Sequence, residues 1–203
     1  GIRGGPYKNP NYDSSARLIS VKQAEYTTVT QCRSWLPSPI GGIVWLAWGA
    51  QDTSCFMPFY AGVKAMPGSF RVGDHFVFNR DSARWAFDYA DFHTQVCYSP
   101  ALEEVKKAQA TWEDGALNQI PEIDQKALEI YKKNPAKASD FLTAFCLNNA
   151  DQVVKAWWQL GDELLVKFNH FSYYNTERRT VERKQLEFPD IWKKAVRAID
   201  ALL

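Results

Sequence analysis

The residues of this chain whose chemistry could go beyond packing are four cysteines, three histidines and an arginine set inside an otherwise neutral, apolar run. Cys32, Cys55, Cys97 and Cys146 are widely spaced, with no Cys-x-x-Cys pair. His75, His93 and His170 stand at no ligand spacing from them or from each other, so no metal site is expected. Cys32 precedes Arg33, and a guanidinium beside a thiol favours the nucleophilic thiolate. Neighbouring strand residues point to opposite faces, however, and a cysteine on a core strand is more often packing, which is the preferred reading of Cys32. Arg33 has two readings of equal weight. A charge in an apolar strand needs a carboxylate, a substrate or the sheet edge to offset its desolvation, so Arg33 is either half of a structural ion pair or a site residue. Asp52 and Asp74 fall in turns, where aspartate is ordinary turn chemistry. No Ser-His-Asp order, phosphate-cradling glycine loop or paired-carboxylate motif is present.

The elements that must position these residues are strands first and helices afterwards. Val29 to Trp35 is β-prone, the Pro37-Ser38-Pro39 and Gly41-Gly42 pairs punctuate it, Ile43 to Trp48 is a second apolar run, and Ser54 to Tyr60 a third. Continuous rather than alternating hydrophobicity from Ile43 to Trp48 predicts a central strand covered on both faces. Cys32 and Cys55 then lie on neighbouring strands, where a disulfide or two buried free thiols both fit; the free thiols are preferred. Residues 1–15 read as a loop, and Leu18 to Ser20 and Tyr26 to Cys32 as extended segments on either side of a polar Lys22-Gln23-Ala24-Glu25, the way a sheet edge feeds its centre. From 81 onward the spacing turns helical: Asp81 to Val96 with Ala83, Ala86, Phe87 and Ala90 on one face, Ser99 to Leu117 capped by Ser99, and Pro121 to Lys133 as a separate helix. A long helix capped by Ser139 follows, with Phe141, Leu142, Phe145, Val153, Val154, Trp157, Leu160, Leu164, Leu165 and Phe168 on its apolar face. Residues 169–187 read as a surface excursion, and Pro189 opens a closing helix with Ile191, Trp192, Ala195, Val196 and Ile199 facing inward.

Composition limits the partners. With 203 residues, 46% of them hydrophobic and 8 of them tryptophan, the chain can bury a sizeable core as one domain. A net charge of +1, with both signs interspersed, gives no electrostatic support for a nucleic-acid partner, and Arg178-Arg179 reads as solvated surface. No apolar run approaches the ~20 residues of a membrane helix, so no membrane partner is expected. The aromatic content is explained by helix-core spacing of Trp85, Trp157 and Trp192, although an aromatic face that binds a peptide or glycan is the competing, non-catalytic reading.

Gln31-x-Arg33-x-x-Leu36-Pro37, Ile40-Gly41-Gly42-x-x-Trp45 and Thr53-Ser54-Cys55-Phe56-x-Pro58-Phe59-Tyr60-x-Gly62-Val63 together resemble the C-terminal half of the cysteine dipeptidases, a branch of the N-terminal-nucleophile hydrolases. Gly4-Gly5-Pro6-Tyr7, Pro67-Gly68-Ser69-Phe70, Asn149-Ala150-Asp151-Gln152-Val153-Val154 and Trp157-x-x-Leu160-Gly161 fit in order, so the resemblance spans nearly the whole chain. It implies an α+β fold of mainly antiparallel strands (1–78) followed by helices (79–203), forming the C-terminal portion of an αββα sandwich. It also implies hydrolysis of dipeptides through a cysteine at the mature N-terminus, whose own α-amine is the base, with no metal or organic cofactor. Position 1 here is Gly1, and no cysteine precedes Cys32, so the nucleophile is expected upstream of this chain and the chain alone is expected to be inactive. Its expected partner is then the N-terminal half of the same enzyme, as a second chain or an upstream segment; a homo-oligomer is left open. Arg33 takes from the resemblance the role of binding a substrate carboxylate or stabilising the oxyanion. The runner-up among enzymes is an acylase-like amidohydrolase acting on a non-peptide amide. No compartment is assigned; an upstream signal peptide would make the protein secreted or periplasmic.

Overall fold

The computed structural model describes residues 20–169 and 173–182, together with the single helical positions 190 and 194. The loop expected at the start, Leu18, Ile19, His170 and the inward-facing positions of the closing helix lie outside the described residues. Three antiparallel strands open the fold: β1 (Tyr26–Cys32), β2 (Gly42–Trp48) and β3 (Met57–Tyr60), in spatial order β1-β2-β3. A single helical turn, α1 (Ser38–Gly41), joins the first two. Three helices follow, α2 (Ala83–Val96), α3 (Tyr98–Lys133) and α4 (Pro135–Lys167), and then a short hairpin, β4 (Tyr173–Asn175) with β5 (Thr180–Glu182). The chain is thus α+β, an antiparallel sheet followed by helices.

β2 is central, as its apolar run predicts, but only one of its faces is sealed. Ile43, Trp45 and Ala47 are buried, whereas Val44 on the opposite face is 38% exposed and Leu46 and Trp48 are half-buried. This corrects the expectation of a strand covered on both sides. The register explains the difference, because cross-strand partners share a face. Val44, Leu46 and Trp48 face the same way as Thr30, Thr28 and Tyr26 of β1 and Phe59 and Met57 of β3. Phe70 packs edge-on against Trp48 and Phe59, with centroids 5.2 Å and 5.6 Å away, and so covers only the β3 side of this face. Among the described residues β1 is an edge strand, and every residue on it but Thr27 is exposed. Its span is that of the extended segment expected from Tyr26 to Cys32; the β-prone run that continues to Trp35 is cut short because residues 33–36 form a turn closed by the Leu36 N–H to the Arg33 carbonyl at 3.1 Å.

The helices differ from the sequence reading mainly at their ends. α2 starts one residue after Ser82 and buries Ala83, Ala86, Phe87 and Ala90 as expected. The two helices expected on either side of residues 118–120 are one continuous α3 with Pro121 inside it. Its buried stripe, Ala116, Ile120 and Ala127, runs straight through the proposed break, while Pro121 and Leu117 lie on the exposed side where water can take the place of the lost backbone bond. Packing of the stripe outweighs the local proline signal. The α4 cap is Asn134, whose side-chain oxygen accepts from the N–H groups of Ala136 and Lys137; Ser139, the expected cap, is inside the helix. On α4, Leu142, Val153, Val154, Trp157, Leu160 and Leu164 are buried as expected, Phe141 and Phe145 are half-buried, and Leu165 is exposed. α2 and α4 press together through Phe87 on Trp157, and the Trp157 indole N–H donates to the Thr53 carbonyl at 2.9 Å, tying the helical layer to the loop between β2 and β3.

Candidate functional site: the Arg33 corner

Where β1 ends, the chain must reverse into β2, and the reversal is built around Arg33. Its backbone N–H donates to the Gly41 carbonyl at 3.0 Å. A Cβ on Gly41 would stand 2.6 Å from the Arg33 carbonyl oxygen, so only glycine permits this approach. The Arg33 side chain, 7% exposed, then turns inward. Its Nε donates to the Gly41 carbonyl at 3.3 Å and its Nη2 to the Ile40 carbonyl at 2.6 Å, both carbonyls belonging to α1. Nη1 and Nη2 reach the two carboxylate oxygens of Asp124 on α3, the second at 3.2 Å, in the two-pronged arrangement suited to a guanidinium. Tyr60, at the end of β3, completes the cluster. Its hydroxyl donates to Asp124 Oδ1 at 2.8 Å, and its ring lies 5.8 Å from the Arg33 guanidinium carbon. Burial, and then the bond to Asp124, raise the Tyr60 pKa far above the usual tyrosine range, so the hydroxyl stays a donor. The result is a buried polar knot joining the β1–β2 turn, β3 and α3.

None of the four thiols is among the partners of the Arg33 guanidinium. Cys55, Cys97 and Cys146 are buried and free, and Cys32 is free and exposed at the end of β1. The free state agrees with the preferred reading, while the exposure of Cys32 corrects the expectation that it is packed in the core. Burial raises the Cys55 pKa well above the ordinary thiol range, with the Glu113 charge adding to it, and burial also raises Cys97. Burial pushes Cys146 up to about 11 against the lowering effect of a bond to the Tyr60 backbone. All three are therefore held as neutral thiols, the opposite of what a nucleophile needs. Arg33, next to Cys32 in sequence, spends its guanidinium on Asp124 and two carbonyls, so it does not serve as a thiolate partner.

A family model described as peptidase family C69 matches residues 4–112, more than half of the 203. This chain belongs to peptidase family C69. It is also similar to a protein named Dipeptidase A from Lactobacillus helveticus, at 28% identity over 76 residues, covering 37% of this chain and 16% of that protein. The chain therefore aligns with a small part of that relative's length.

The C69 match takes in Arg33, Tyr60 and the first three cysteines, and stops before Asp124 and Cys146. Tyr60 stands inside the Pro58-Phe59-Tyr60-x-Gly62 string, but its role as hydroxyl donor to a carboxylate carries no local signal. Asp124 was not singled out at all: it lies 91 residues from Arg33, in a helical run where an aspartate reads as surface. Glu113 was missed for the same reason; it accepts the Phe56 backbone N–H at 2.9 Å, and burial, outweighing that bond, raises its pKa. The remaining candidates are engaged elsewhere and are not among the partners of Arg33. Asp74 closes its own turn by accepting the Phe76 N–H at 2.7 Å, Asp52 accepts from Ser20 and Tyr98, His75 is exposed beside Phe76, and His93 is buried 4.5 Å from the Tyr89 ring with burial lowering its pKa.

Proposed function

We propose that this chain is the C-terminal portion of a cysteine dipeptidase of the N-terminal-nucleophile type, with the nucleophilic cysteine supplied by sequence outside the chain. In the proposed reaction the thiolate attacks the dipeptide carbonyl, the amine leaves as a thioester forms, and water then releases the acyl group. The observation that carries the reading is the state of the chain's own thiols. Three are buried and held neutral, and among the described residues nothing pairs the exposed Cys32 with a general base. Membership of family C69 supports a peptidase, and similarity to a protein named as a dipeptidase supports a dipeptide as substrate.

The half-covered sheet face supports the partial character of the chain. Val44, Leu46 and Trp48, with the β1 edge beside them, present apolar surface of the kind a second sheet would cover in an αββα sandwich. Arg33 serves such a site best by position. Its four bonds to protein acceptors leave little of the guanidinium for a substrate, and they fix α3 and the β1–β2 turn against the sheet. The reading is tested in the complete enzyme by replacing Cys32, Cys55, Cys97 and Cys146 one at a time with alanine. Each variant is expected to keep kcat/KM of the folded fraction within about threefold of wild type, whereas a loss above ~10²-fold at any one of them overturns it.

A further inference from the structure

A second constellation lies at the α2–α4 junction, away from the Arg33 corner. The guanidinium carbon of Arg80 sits 4.5 Å from the ring centre of Trp158, 4.8 Å from that of Tyr89 and 5.7 Å from that of Phe78. The rings brace one another: Tyr89 and Trp158 are 5.5 Å apart, and Phe78 stands edge-on to Trp158 at 5.8 Å. Asp162 completes the enclosure. It accepts the Tyr89 hydroxyl at 3.0 Å, which fixes that ring, and stands 3.7 Å from Arg80 Nη2, a loose and exposed ion pair. Space for the arrangement comes from Gly161, where an added Cβ would fall 2.3 Å from the Tyr89 ring. Two of the walls, Tyr89 and Trp158, thus belong to packed helices.

The occupant is held less firmly than the walls. Arg80 is 53% exposed and ends a stretch, residues 71–80, in which every residue but Asn79 is exposed. A planar cation capping a cluster of aromatic rings beside a carboxylate is a binding arrangement in its own right, and it suits guanidinium better than ammonium because guanidinium stacks flat and is more weakly hydrated. We propose that Phe78, Tyr89, Trp158 and Asp162 form a guanidinium site which Arg80 occupies in cis, and from which an arginine side chain of a bound peptide or protein displaces it. Arg80 then acts as an internal competitor that sets the affinity of the site. This inference stands on the cage alone and is independent of the reading of the chain as a dipeptidase portion.

Titrating N-ethylguanidinium into the full chain, with the indole and ring resonances of Trp158 and Tyr89 as the readout, tests it. Arg80→Ala is expected to bind the probe saturably and at least about tenfold more tightly than wild type, with ethylammonium weaker than ethylguanidinium, and Arg80→Ala/Trp158→Leu is expected to lose saturation. Arg80→Gln, which retains the packed stem, guards against loss of fold in the alanine variant and is expected to behave like it. No saturable binding to either single variant, or equal binding with Trp158 replaced, overturns the proposal and leaves the cage as an internal clasp.

Discussion

Arg33 and Asp124 are each costly to bury alone, and they coexist because the geometry satisfies both. The guanidinium meets a carboxylate with two prongs and two carbonyls with two more of its five donors, while Tyr60 supplies the carboxylate with a further donor. Lysine at this position keeps the charge but offers one point in place of a fork. Arg33→Lys is therefore expected to lower the unfolding free energy by ~2–4 kcal/mol in denaturant titration, with kcat/KM of the folded fraction in the complete enzyme within about threefold of wild type. A loss of ~10² in kcat/KM at unchanged stability would put the guanidinium on the substrate instead. The thiols give a second test at this scale. In the native chain a thiol reagent at mildly alkaline pH is expected to modify Cys32 and to spare Cys55, Cys97 and Cys146 until the chain unfolds. Folding holds the Cys146 proton from the ordinary thiol value of 9.0 up to about 11, so this contribution is full below the lower value and is lost as pH rises through the window between them. The alkaline loss of stability should accordingly be shallower in Cys146→Ala.

At the scale of elements, the α4 cap separates two accounts of where that helix begins. Asn134 satisfies two backbone N–H groups, so Asn134→Ala is expected to cost ~1 kcal/mol in thermal or denaturant unfolding, whereas Ser139→Ala, inside the helix, should stay within ~0.5 kcal/mol. The reverse order would mean that the first turn of α4 is not held as described. The difficulty at this terminus shows what the sequence can and cannot convey. The order of strands and helices, the central place of Ile43 to Trp48, and the buried faces of α2 and α4 follow from periodicity, because periodicity records which side meets the core. Caps and breaks are decided by competition. Pro121 stops a helix in isolation, yet here the buried stripe through Ala116, Ile120 and Ala127 continues past it, and no local signal weighs one against the other. The hairpin of β4 and β5 was hidden for a related reason: it lies in a largely polar stretch, and pairing between two strands of three residues leaves little alternation to detect. The Arg33 corner was half legible. A charge in an apolar strand announces that a partner exists, but Asp124 becomes that partner only through the path of α3.

At the scale of the whole molecule, the proposal that this chain is a portion of a larger enzyme draws support from the sheet. Its β3 side is sealed by the helices and by Phe70, while among the described residues the β1 edge is unpaired and Val44 is exposed, an asymmetry in keeping with the proposed second layer. The exposed loop 71–80 and the Arg80 cage lie on the helical side, so the two proposals can succeed or fail separately. The central claim is that the catalytic thiol is not among the four in this chain. Its most direct test is dipeptide hydrolysis measured on the purified chain alone and then with the N-terminal portion of the same enzyme restored. The account predicts no turnover from the chain alone, and turnover on restoration that is abolished by replacing a cysteine of the added portion. Turnover by the chain alone that disappears on replacing Cys32, Cys55, Cys97 or Cys146 would contradict it.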